Sequence, residues 1–374
     1  MKQILSMTAL LVGAGLMVLA EPAPGQTGLV LYETKPEAPQ REEGLAFVEL
    51  DPESDAFGEV LSEIPLPPDF VGHHLFYTPD RSEAYLTGLG RNELIVLDTT
   101  HQPWTERRVP VPSCTVGEDI VFEGDRWYLT CLGSSTVVVG DATTDEVLYS
   151  WEMEEPWTHG IAVRPDLGQI LVTSTANPAD PTEMGRSILA LDIETGQQIA
   201  SYETTYDDAA GPVEIFFLPE RDIPMAYVTN LAGDLWLARW NAEASSFEMS
   251  QAFDFRRAGH GMALEVYFDG RDRAFVTTAL PGAIHELDIS HPEEPRLVQS
   301  VLTAGGAHHV VFDEEHSMAW VQNGLLNMPG INDGSITVVD LEMGEVVDVI
   351  DAFRSRDMTV NMIELMPDQS THSH

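Results

Sequence analysis

Short apolar runs recur along this chain with one grammar, each closed by a polar turn. Aligned on that turn, six of them read His73-His74-Leu75-Phe76-Tyr77, Glu118-Asp119-Ile120-Val121-Phe122, His159-Gly160-Ile161-Ala162-Val163, Val213-Glu214-Ile215-Phe216-Phe217, Leu264-Glu265-Val266-Tyr267-Phe268 and His308-His309-Val310-Val311-Phe312. A seventh copy, Asn361-Met362-Ile363-Glu364-Leu365, stands near the C-terminus. The turns are of the Pro79-Asp80-Arg81 or Asp269-Gly270-Arg271 kind. Behind each turn comes a β-branched and aromatic run, such as Ala84-Tyr85-Leu86-Thr87, Trp127-Tyr128-Leu129-Thr130 or Ala226-Tyr227-Val228-Thr229. A third run tends to end in Asp, as in Ile95-Val96-Leu97-Asp98, and a fourth is polar, as in Gln198-Ile199-Ala200-Ser201-Tyr202.

Four short strands repeated at this period predict an all-β fold, a seven-bladed β-propeller. The N-terminal runs Leu29–Tyr32, Leu45–Asp51 and Glu59–Leu61 read as second, third and fourth strands without a first. The Met362 segment supplies it, so the C-terminal strand joins the N-terminal blade (blade 1) and closes the ring. Two connections between second and third strands are long, 176–186 and 323–334. Both are expected to overhang the face on which the first strands begin.

The chain has 374 residues. Residues 1–20 have the form of a signal peptide, with Lys2 ahead of the apolar stretch Ile4–Leu19 and Val18-Leu19-Ala20 as a small-residue cleavage site. This implies a periplasmic or secreted protein with no stable membrane insertion after cleavage. The propeller is expected to occupy 21–368 as a single domain, with 369–374 a disordered tail. A formal charge of −42 excludes nucleic acid and anionic membranes as partners. The two cysteines, Cys114 and Cys131, fall in one repeat and are either a disulfide or two free thiols. Nucleophile-elbow, phosphate-loop and Cys-x-x-Cys motifs are absent from the sequence.

In a propeller the first strand of every blade lines the central channel, so scattered His and acidic residues become a ring in space. The candidates are Met362 from blade 1, His73 and His74 from blade 2, Glu118 and Asp119 from blade 3 and His159 from blade 4. Blade 5 adds Glu214, blade 6 Glu265 with His260 just before it, and blade 7 His308 and His309. Imidazole with thioether suits copper, and imidazole with carboxylate suits zinc, iron or manganese. In the competing reading a pair such as Gly72-His73 only braces its blade through a hydrogen bond. His101, His285, His291 and His316 are expected on the surface, and His372 and His374 in the tail.

Several segments together resemble the selenium-binding protein family, which includes bacterial methanethiol oxidases. They are Phe47-Val48-Glu49-Leu50-Asp51-Pro52-Glu53-Ser54 with Ile64-Pro65-Leu66-Pro67, the pair His73-His74, Pro212-Val213-Glu214-Ile215-Phe216-Phe217-Leu218, and Leu287-Asp288-Ile289-Ser290-His291-Pro292-Glu293-Glu294-Pro295-Arg296-Leu297 followed by Gly305-Gly306. Tyr227-Val228-Thr229-Asn230 is also similar to the broader exported propellers named for that tetrapeptide. The resemblance implies a propeller with a copper site that oxidises methanethiol with oxygen to formaldehyde, hydrogen peroxide and hydrogen sulfide. His73 and His74 match histidines of the family, whereas Asp119 and Met362 stand where it has His. Leu75-Phe76-Tyr77 occupies the place of its selenium-linked Cys motif. The expectation is an exported propeller with copper at a His-rich ring, oxidising a small thiol. The alternatives are a non-enzymatic propeller that docks a protein or small ligand, and a metal carrier.

Overall fold

A computed structural model describes residues 26–204, 210–313 and 317–366. The leader at 1–20, the tail at 369–374 and His316 lie outside the described residues. Among the described residues the chain forms seven four-stranded antiparallel sheets and one two-stranded hairpin, the arrangement of a seven-bladed propeller. In blade 1, Thr27–Thr34 pairs with Glu43–Glu49 on one side and with Met358–Leu365 on the other, closing the ring as the sequence predicts. No helix among the described residues is long and apolar enough to cross a membrane.

The second and third strands of each blade are covered on both faces by neighbouring blades, which is why they carry the largest apolar side chains. Tyr85, Trp127, Tyr128, Tyr227 and Trp320 are fully buried there. Burying each such ring contributes roughly 1.5–3 kcal/mol. The outer strands, such as Gln198–Glu203, alternate half-buried and exposed positions because one face meets solvent.

The innermost strands share a defect that creates the site. In blade 2 the strand Gly72–Tyr77 pairs Gly72 with Gly88 and Leu75 with Leu86, so His73 and His74 oppose Thr87 alone. The same two-against-one bulge holds Glu118 and Asp119 opposite Thr130, His159 and Gly160 opposite Thr173, and Val213 and Glu214 opposite Thr229. Leu264 and Glu265 oppose Thr277, and His308 and His309 oppose Gln322. A bulge leaves two residues outside the ladder and re-aims their side chains. The opposing threonine repairs the ladder, accepting the backbone N–H of His74 at 3.2 Å, Asp119 at 3.1 Å, Gly160 at 2.8 Å, Glu214 at 3.1 Å and Glu265 at 3.2 Å. Gln322 does the same for His309 at 3.0 Å. Several of these groups also donate to the next blade: Thr130 to the carbonyl of His159, Thr173 to Val213, Thr229 to Leu264 and Gln322 to Val360. Each therefore caps a bulge and ties two blades together.

The cysteines form a disulfide, with Cα atoms 5.2 Å apart. Cys131 pairs with Gly117, and the backbone N–H of Cys114 donates to the Val111 carbonyl, a turn that brings Cys114 back over the strand. Reducing this bond, which joins residues 17 apart in sequence, is expected to cost about 3 kcal/mol. Paired denaturant titrations with and without reductant measure it; coincident midpoints would refute a stabilising role.

Candidate metal centre

The bulges bring side chains from six blades to the channel axis. The rings of His73 and His74 stack at 3.9 Å and 19°, so these adjacent residues point the same way, as a regular strand forbids. His308 and His309 lie 4.0 Å apart, and His309 meets His74 edge-on at 4.9 Å. Blade 6 contributes Glu265, whose Oε1 is 3.1 Å from His308 Nε2. Opposite, His73 Nε2 lies 2.9 Å from Glu118 Oε2, which is 3.6 Å from His159 Nε2. His159 Nδ1 approaches Glu214 Oε1 at 2.8 Å, and His74 Nδ1 approaches Asp119 Oδ1 at 2.9 Å.

Three sets of donor atoms are close enough to hold an ion. In each set the atoms lie within 4.8 Å of one another: His74, Glu265, His308 and His309; His73, Glu118 and His159; and Asp119, His159 and Glu214. Met362 stands beside the first set, lining a chamber of 40 Å³ with His74, His309, Asp119, Glu214 and Glu265. His260 does not join them. It lies against His285, ring centroids 4.6 Å apart, because it precedes the bulge of its strand by several residues. His285 is fully buried, contrary to its expected surface position. Its ring packs on Phe255 and bonds Thr278 and Ser300. Burial, with His260 nearby, lowers its pKa to about 3, so it is a neutral core residue. His101 and His291 are exposed as expected.

The candidate side chains are buried below the face on which the first strands begin, not displayed on an open rim. Leu325, Met328 and Ile331 of the long connection 323–334 pack with Val213, Leu264 and Ala279 into an apolar plug. Val213 and Leu264 are the first residues of their bulges, so the plug sits directly on the ring. Access comes from the opposite face. A cavity of 460 Å³ is lined by Leu75, Phe76, Phe122, Ile161, Phe216 and Phe217 and reaches Asp119 and Glu364. Gly160 keeps the ring open: a Cβ there would come within 2.7 Å of Glu214 Oε2 and 2.5 Å of the Val213 carbonyl.

The electrostatics of the ring call for positive charge. Glu118, Asp119, Glu214 and Glu265 are all buried, and an unpaired buried carboxylate is costly. Burial, together with the neighbouring charge of Asp119, pushes the Glu214 carboxyl well above the usual range. For His73, burial lowers the pKa but the neighbouring Glu118 outweighs it, and the net direction is up. For His308 burial wins over Glu265 and the direction is down, toward the neutral imidazole that metals take.

The sequence pointed to the ring residues but not to what holds them. The threonine that ends each second run, in Leu86-Thr87, Leu129-Thr130, Val172-Thr173, Val228-Thr229 and Val276-Thr277, is the signal that marks the bulges.

No protein-family model matches the chain, and no curated protein matches it. Solved structures do. One described as a hypothetical selenium-binding protein from Sulfolobus tokodaii superposes with a TM-score of 0.77 at 12% identity, covering 94% of this chain and 96% of that one. A functionally unknown protein from Desulfotomaculum acetoxidans gives 0.64 at 13% identity over 91% and 98%. Hydrazine synthase of Kuenenia stuttgartiensis gives 0.55 at 14% identity over 73% and 77%. At these identities the comparisons show the propeller fold, shared across distant proteins.

Proposed function

We propose that this chain is an exported propeller that holds a transition metal on His74, His308, His309 and Glu265 and acts on a small molecule admitted through the cavity on the face opposite the plug. The observation that carries the reading is three imidazoles and a carboxylate from three blades, all buried, with donor atoms within 4.8 Å of one another. A cation there offsets the charge of buried carboxylates. Copper is the preferred ion: it heads the affinity order for such sites, and the neighbouring Met362 thioether favours it over zinc or iron. The cavity walls, rich in Phe, suit a small apolar substrate, and a small thiol such as methanethiol fits both the walls and a soft metal. The likeness to a structure described as a selenium-binding protein supports the same reading. The Cys114–Cys131 disulfide supports an oxidising compartment.

Elemental mass spectrometry on protein exported to a periplasm and purified without chelators tests this. Bound copper, and a melting temperature that falls on chelation and recovers on adding copper, are expected. Turnover of methanethiol with oxygen would then extend the reading to catalysis. No metal as isolated, and none taken up on titration, would overturn it and leave a propeller that docks a protein or small ligand.

A further inference from the structure

We infer that the ring holds two metal ions side by side, the second on His73, Glu118 and His159. The inference rests on the metal reading above but goes beyond it, because none of these three residues belongs to the first set.

Three observations carry it. The donors are in place: Glu118 Oε2 stands 2.9 Å from His73 Nε2 and 3.6 Å from His159 Nε2. Ligands around one zinc- or copper-sized ion, each about 2.0–2.2 Å from it, are separated by roughly this much.

The two sets are also built alike. A metal-binding imidazole usually gives its second ring nitrogen to a carboxylate, which fixes its orientation. In the first set Asp119 holds His74 through Nδ1 at 2.9 Å, leaving Nε2 as the ligand atom. In the second, Glu214 Oε1 lies against His159 Nδ1 at 2.8 Å, an ion-pair approach without the alignment of a hydrogen bond, and Nε2 is the nitrogen turned toward Glu118. Carboxyl oxygens of Asp119 and Glu214 lie within 4.8 Å of each other, so the acidic neighbours of the two sets adjoin. The stacked rings of His73 and His74, 3.9 Å apart, put one ligand of each set next to the other.

Charge completes the argument. The ring buries four carboxylates, Glu118, Asp119, Glu214 and Glu265. Divalent ions at both sets of ligands offset that buried charge on both sides of the ring. Paired ions of this kind are a common device for activating and clamping small substrates.

The test is stoichiometric. Full-length protein stripped of metal is titrated with copper alone, and bound copper per chain is counted after dialysis. About two per chain are expected for the unaltered protein, and about one for His159→Ala. Glu118→Gln, which preserves volume and a hydrogen-bonding side chain, is the companion should the alanine variant fold poorly, and is likewise expected to bind about one. His309→Ala is expected to keep the second ion and lose the first. One copper per chain, unaffected by His159→Ala and Glu118→Gln but lost in His309→Ala, would overturn the second site and leave the first standing. Two coppers retained in folded His159→Ala and Glu118→Gln would also overturn it. No copper in any variant would sink both readings.

Discussion

A chain carrying both His308→Ala and His309→Ala is expected to keep its ring and lose the ion of the first centre. The two imidazoles supply half of that ligand set. Loss of a merely orienting group typically costs 10–100-fold in affinity, so deletion of two direct ligands should exceed it. The fold should survive, because the bulge is held by backbone atoms: the residue 309 N–H still donates to Gln322, and the Val310 N–H to Tyr267. The exposed liability is Glu265, which loses its neighbour at 3.1 Å while remaining buried. Adding Glu265→Gln removes that charge and separates folding from binding. Isothermal titration with copper and circular dichroism together check the outcome. Unchanged affinity in a folded double variant would move the centre elsewhere on the ring.

Thr173→Val is expected to destabilise the propeller by about 4 kcal/mol although it removes only a hydroxyl. That hydroxyl accepts the Gly160 N–H at 2.8 Å and donates to the Val213 carbonyl at 2.6 Å. Valine has the same shape and neither function. Two buried backbone groups in different blades are left unsatisfied, each costing about 1–3 kcal/mol. The loss should appear in denaturant titration as a lower midpoint. Thr195→Val serves as the control, since its hydroxyl bonds only within a surface turn, donating to Asp192 and accepting the Gln197 N–H at 3.3 Å; equal effects at the two positions would refute the role assigned to Thr173.

The blades were legible because turns punctuate the chain and because a strand covered on both faces must be apolar throughout. Aligning His73-His74 with Glu118-Asp119 and His308-His309 on the following turn placed all of them at one height. The bulge was not legible in the same way. A bulge adds one residue to a strand, and hydrophobic alternation does not register it when the strand is apolar on both sides. Its trace lies in the opposing strand, in the threonines that recur before the second turn. His260 was drawn into the ring by its nearness in sequence to Glu265, yet several residues of strand separate it from the bulge, and it lands against His285. The direction of access was hidden too, because Leu325, Met328 and Ile331 sit in a connection whose path no periodicity reveals.

The strand Met358–Leu365 is the last of the described strands and sits between blades 2 and 7. His74 and His309 meet edge-on across it, and its own Met362 lines the chamber beside them. The centre thus straddles the latch of the circle. A partly synthesised chain, even one with six finished blades, has its histidine pairs on two unjoined ends and cannot trap an ion between them. Under the proposed function, maturation is ordered by geometry: chain completion first, cargo second.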